Sequence, residues 1–78
     1  MPNQMKQHLV ERIKYEMEQL GNKDVKVENI RMFTSGNRQC AWADVFYAWW
    51  LNAWDKEVVH KDTLFVLADD GWKSPLFT

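Results

Sequence analysis

Few residues in this chain of 78 could do covalent or metal chemistry. Cys40 is the one thiol, and His8 and His60 are the two imidazoles. A nucleophilic cysteine needs a histidine beside it to take its proton. His8 falls on the polar side of a helical pattern and His60 near a turn, so Cys40 reads as an inert thiol in an apolar segment. Zinc needs about four ligands at recognisable spacing, which one Cys and two distant His do not supply. His60-Lys61-Asp62 and Asp69-Asp70 are explained more simply as turn chemistry. With glycine only at 21, 36 and 71, no phosphate-cradling loop exists. Asp44 and Asp55 could be imagined as paired acid and base, but so small a domain rarely builds the cleft they would need. The expectation is a non-enzyme with no metal and no cofactor.

Aromatic residues are the anomaly. Five Trp, four Phe and two Tyr carry together about 2,000 Å² of surface. A domain of this size buries only about 60% of its unfolded surface. Some rings must serve the core, because a small scaffold without disulfides depends on dense apolar packing. The surplus would form an apolar patch, and such patches mark binding sites.

The segment Cys40–Leu51 reads CAWADVFYAWWL, with Asp44 its one charged residue. As a helix it would be apolar all round and need burial on every side. As a strand it splits into two faces. One face carries Ala41, Ala43, Val45, Tyr47, Trp49 and Leu51, with small residues suited to receive a helix. The other carries Cys40, Trp42, Asp44, Phe46, Ala48 and Trp50, a carboxylate among rings. A strand over 38–48 is preferred. A second helix within 40–58 is the alternative, since the alanines favour helix. The candidate partner-binding residues are Trp42, Phe46, Trp50 and Trp54, with Asp44, Arg31 and Arg38 as polar contacts. Asp44 would pair either with a cation on a partner or, inside the chain, with Arg31 or Arg38.

Other elements must position that segment. Residues 3–20 form an amphipathic helix, with Asn3 as N-cap and Gly21 at its end. Met5, Leu9, Val10, Ile13, Met17 and Leu20 fall within one arc of roughly 140°. Residues 25–33 alternate as a strand, with a slip at Asn29-Ile30 that reads as a bulge. Thr34–Asn37 makes a hairpin turn. Thr63–Leu67 is a strand, Asp69-Asp70-Gly71 a second hairpin turn, and Trp72, Leu76 and Phe77 its return, with Pro75 marking an edge. The expected fold is α+β in a single domain: one amphipathic helix on an antiparallel sheet of three to four strands. The expected core is Leu9, Ile13, Met17, Leu20, Val27, Ile30, Val45, Leu64 and Val66.

Ten Lys and Arg stand against eleven Asp and Glu, a net charge of -1. Phosphate neutralisation needs a basic stripe, and mimicry of DNA needs a heavily acidic face; neither is present. No apolar run is long enough to span a membrane, and the charged N-terminal stretch is unlike a signal peptide. These features lead to a cytoplasmic protein-interaction module. Its expected partner is a larger protein or complex, or a second copy. Size and mixed charge suggest a phage- or plasmid-encoded inhibitor that blocks a protein surface of a host CRISPR or restriction system. The alternative is single-stranded nucleic acid stacked on the same rings, against which Asp44 and the net charge both weigh.

Overall fold

The computed structural model describes residues 2–77. It opens with helix α1, Pro2–Gln19, followed by strands β1 (Lys23–Ser35), β2 (Arg38–Trp50), β3 (Lys56–Ala68) and β4 (Gly71–Lys73), and a 3-10 turn at Pro75–Phe77. The strands form one antiparallel sheet in the order β1-β2-β3-β4. The α+β reading therefore holds, with four strands and α1 packed on one face.

Helix α1 begins with proline, whose fixed φ and missing N–H suit a first helical position. Asn3, expected to cap the helix, lies inside its first turn, and its side chain falls outside the described residues. At the other end Asn22 N–H donates to Met17 C=O at 3.0 Å and Gly21 N–H to Glu18 C=O at 3.0 Å. Gly21 has φ +92°, the left-handed conformation of a Schellman stop. Leu9, Ile13 and Met17, four residues apart, form one buried stripe. They pack on Ala41, Ala43 and Val45 of β2, Phe65 of β3 and Trp72 of β4.

No second helix forms within 40–58. β2 runs unbroken to Trp50 and pairs with β1 on one side and β3 on the other. A helix there would have to bury rings on every side, whereas the strand buries only its alanine side under α1. His60-Lys61-Asp62, expected at a turn, lies within β3, where pairing with β2 extends it. The return strand is shorter than expected: β4 stops at Lys73, and Pro75–Phe77 turns back toward the core. Phe77 meets Phe65 at 5.7 Å between centroids, and the Arg12 guanidinium lies 5.7 Å over the Phe77 ring.

The slip at Asn29 is a bulge: Asn29 has φ +54°, and the β1–β2 register shifts between Glu28 and Arg31. The β1–β2 turn holds two residues, Gly36 and Asn37, with Gly36 at φ +63°, as a type II′ turn requires.

Three core assignments change. Leu20 is 51% exposed, because α1 ends before it. Leu64 and Val66 are only half-buried, and Phe65 between them is fully buried. β3 thus presents the opposite face from the one expected, since its register sets the large Phe65 across from the small Ala41. Val27 and Ile30 pack against the core half-buried.

The molecule measures 46 × 22 × 18 Å. A helix of 18 residues is about 27 Å long, whereas strands of 13 residues reach about 43 Å. The helix covers the sheet from the level of Trp72 to that of Tyr47 and the edge of Trp49, and the strand end beyond them projects past it. Among the described residues no helix is long and apolar enough to cross a membrane.

Candidate partner-binding face

Strand alternation puts Trp42, Asp44, Phe46 and Trp50 on the sheet face away from α1. On this face Trp42 and Trp50 are exposed, Asp44 and Phe46 half-buried, and Cys40 and Ala48 buried. Four of the five tryptophans are exposed: Trp42 (39%), Trp49, Trp50 and Trp54. Trp72 alone is in the core.

Each ring on β2 has a neighbour across the sheet. Trp42 stands between Arg31 and Leu64. Phe46 stands between Lys26 and His60, and the His60 ring stacks on it at 4.5 Å with planes 10° apart. Trp50 pairs with Lys56, whose ammonium lies 5.9 Å over the indole.

The charges between the rings are paired. Asp44 Oδ1 lies 3.0 Å from His60 Nε2, and its Oδ2 accepts from Asn29 Nδ2 at 3.2 Å. These two bonds, with the Arg31 charge behind them, hold the Asp44 carboxyl below the usual aspartate range. Arg31 donates to Asp62 at 2.9 Å, and Lys56 to Asp24 at 2.8 Å. Asp44 therefore has an internal partner, as one reading of the sequence held. That partner is His60 rather than Arg31 or Arg38, because the β2–β3 register brings residue 60 beside residue 46.

The expected site residues are not all gathered in one place. Trp42, Asp44, Phe46, Trp50 and Arg31 share the open face, but Trp42 and Trp50 stand roughly 26 Å apart along β2. Arg38 sits at the β1–β2 hairpin, the far end of β2 from Trp50. Trp54 lies off the sheet on the Leu51–Asp55 loop and is 88% exposed. Asn52 shapes that loop, its Oδ1 accepting from the N–H groups of Trp54 and Asp55 at 2.8 and 2.9 Å.

Trp49, Leu51 and Val58 complete an apolar end with Trp50 and Trp54, and all are exposed. Trp49 and Leu51 were assigned in sequence to the helix-covered side. Their exposure follows from the helix being shorter than the strand, and the length mismatch was the available signal. Trp49 Nε1 donates to Glu57 at 2.7 Å.

The residues weighed for covalent chemistry stand apart. Cys40 is buried with its Sγ 3.8 Å from the Arg38 carbonyl. His60 pairs at Phe46, six residues and roughly 20 Å along the strand from Cys40. Asp44 lies mid-strand and Asp55 in the distal loop, so the two carboxylates do not meet. No group of three His, Cys, Asp or Glu converges among the described residues.

Compared with known protein families, curated proteins and solved structures, the chain matches none.

Proposed function

We propose that this chain is a protein-docking module that engages a larger partner through its open sheet face and the Trp50–Trp54 end. The observation that carries the reading is a run of exposed apolar side chains, Trp49, Trp50, Leu51, Trp54 and Val58, at one end of the sheet. Tryptophans that lose their water on contact are the side chains most often found to dominate binding energy. Paired charges on the same face supply orientation rather than affinity. The Arg31–Asp62 and Asp44–His60 pairs are already formed, so docking need not order them. An inhibitor that covers a surface of a CRISPR or restriction complex is one form this docking would take; size and mixed charge are its support.

Stacking of single-stranded nucleic acid is the second reading. A cation beside each ring favours it, namely Arg31, Lys26 and Lys56. Arg31 and Lys56 are each bound to a carboxylate, which leaves little positive charge for phosphates.

Immobilised wild-type protein should retain a defined partner from a host lysate, and Trp50→Ala and Trp54→Ala should lose it while keeping the wild-type circular dichroism. Retention by both variants would overturn the reading. Quenching of tryptophan fluorescence by oligonucleotides at low salt would transfer the face to nucleic acid.

A further inference from the structure

β4 pairs with β3 only over Val66–Ala68. From Lys56 to Phe65 the outer edge of β3 therefore meets no strand among the described residues. The opposite sheet edge, β1, is broken by two register shifts, with Asp24 and Asn29 at positive φ. Such kinks block the addition of another strand. β3 has no such kink: its register with β2 runs unshifted from Lys56 to Val66, it contains no proline, and the lysines that would blunt its edge are accompanied by carboxylates. A long regular edge of this kind is a template for a further strand.

The edge reads Lys56-Glu57-Val58-Val59-His60-Lys61-Asp62, and it is its own charge complement. Laid antiparallel on a copy about Val59, Glu57 meets Lys61, Val58 meets His60, Val59 meets itself, and Lys56, which also holds Asp24, meets Asp62, which also holds Arg31. Opposite charges directly across an antiparallel pair stabilise it, and like charges oppose it. Centring on His60 instead sets two histidines face to face and removes both ion pairs. Centring on Lys61 sets two lysines together, and centring on Val58 sets Lys56 against His60. We propose that a second copy of this chain pairs β3 to β3 about Val59, joining two sheets into one of eight strands.

The ends of the edge agree with this register. Trp54 lies five residues from Val59 on one side and Leu64 five on the other. Pairing about Val59 thus brings the Leu51–Asp55 loop of one copy to Leu64 of the other. There the end of β4 opens a groove of about 900 Å³, where Trp42, Leu64, Val66 and Phe77 are flanked by the charged Arg12, Glu16, Asp62 and Lys73 among its lining residues. The most exposed ring of the molecule is delivered to this groove. The two-fold axis stands normal to the sheet, so both ring rows remain on the same side. The pairing is carried by the strand edge; it shares Trp54 and Val58 with the docking reading but not Trp50.

Sedimentation equilibrium of the full chain, from micromolar to submillimolar concentration, tests the proposal. A dimer is expected. Lys61→Glu sets a new carboxylate against Glu57 twice per dimer and should raise the dissociation constant at least about tenfold. The double exchange Glu57→Lys with Lys61→Glu restores the opposite charges and should recover most of the dimer. A monomer at every concentration overturns the proposal, as does a dimer that Lys61→Glu leaves unchanged or that the exchange fails to rescue. Loss of partner capture by Trp50→Ala reads the docking face separately, so the two readings fail independently.

Discussion

The His60 ring lies parallel to the Phe46 ring, 4.5 Å between centroids, while its Nε2 sits 3.0 Å from Asp44 Oδ1. One imidazole thereby links an aromatic and a carboxylate from the same strand, two residues apart on one face. The arrangement fixes rings and charge on the open face before any partner arrives.

Asp44 should titrate below the ordinary aspartate value, held down by His60 and Asn29. A lowered folded-state value means a contribution to stability that is present above about pH 4 and is lost as pH falls through the folded value. Carbon-detected NMR titration should find the Asp44 midpoint below the ordinary aspartate value. In Asp44→Asn the acid-side loss of stability should be smaller than in wild type. An ordinary midpoint would mean that the two hydrogen bonds do not persist in solution.

Phe65→Ala should be among the most damaging single changes. Phe65 is fully buried beside Ala41 in the cluster that α1 closes, and removing such a ring costs about 3–5 kcal/mol. Leu64→Ala, on the half-buried open face, should cost clearly less. Urea unfolding of both variants compares them, and the reverse order would place the core on the other face of β3.

Trp54→Ala should leave stability within about 0.5 kcal/mol of wild type and weaken partner binding by about 2 kcal/mol. Trp50→Ala should likewise keep the fold. Thermal unfolding followed by binding titration separates the two effects. If either variant unfolds, the ring belongs to the core.

Asn29→Val should destabilise by about 1–3 kcal/mol, because a β-branched residue resists the left-handed backbone at φ +54°. Asn29→Gly keeps that conformation and removes the hydrogen bond to Asp44. It should therefore cost less while raising the Asp44 midpoint. Equal stability of the two variants would show that the bulge carries no conformational strain.

Trp72 is the one tryptophan shielded from water. Acrylamide should quench most of the protein's tryptophan emission and leave a blue-shifted, resistant fraction. Trp72→Phe should abolish that fraction, and its survival would place another indole in the core.

Features written in short windows were legible from the residues alone. The helix follows from the spacing of Leu9, Ile13 and Met17 and from Gly21, which permits its left-handed stop. The break in alternation at Asn29-Ile30 announced the bulge. The preference for a strand over 38–48 followed from asking how many sides an apolar segment can bury in 78 residues, and so did the face that carries Trp42, Asp44, Phe46 and Trp50; that the strand runs on to Trp50 did not. Tertiary structure alone decided the phase of β3. Thr63–Leu67 is apolar on both faces, so period-two alternation cannot choose between Phe65 and its neighbours; packing of a large ring opposite Ala41 does. It also decided the partner of Asp44, which depends on a strand register that joins residues sixteen apart in sequence. And it decided which rings stay in water. A helix of 18 residues cannot reach the end of a strand of 13, because the helix rises 1.5 Å per residue where the strand rises about 3.3 Å.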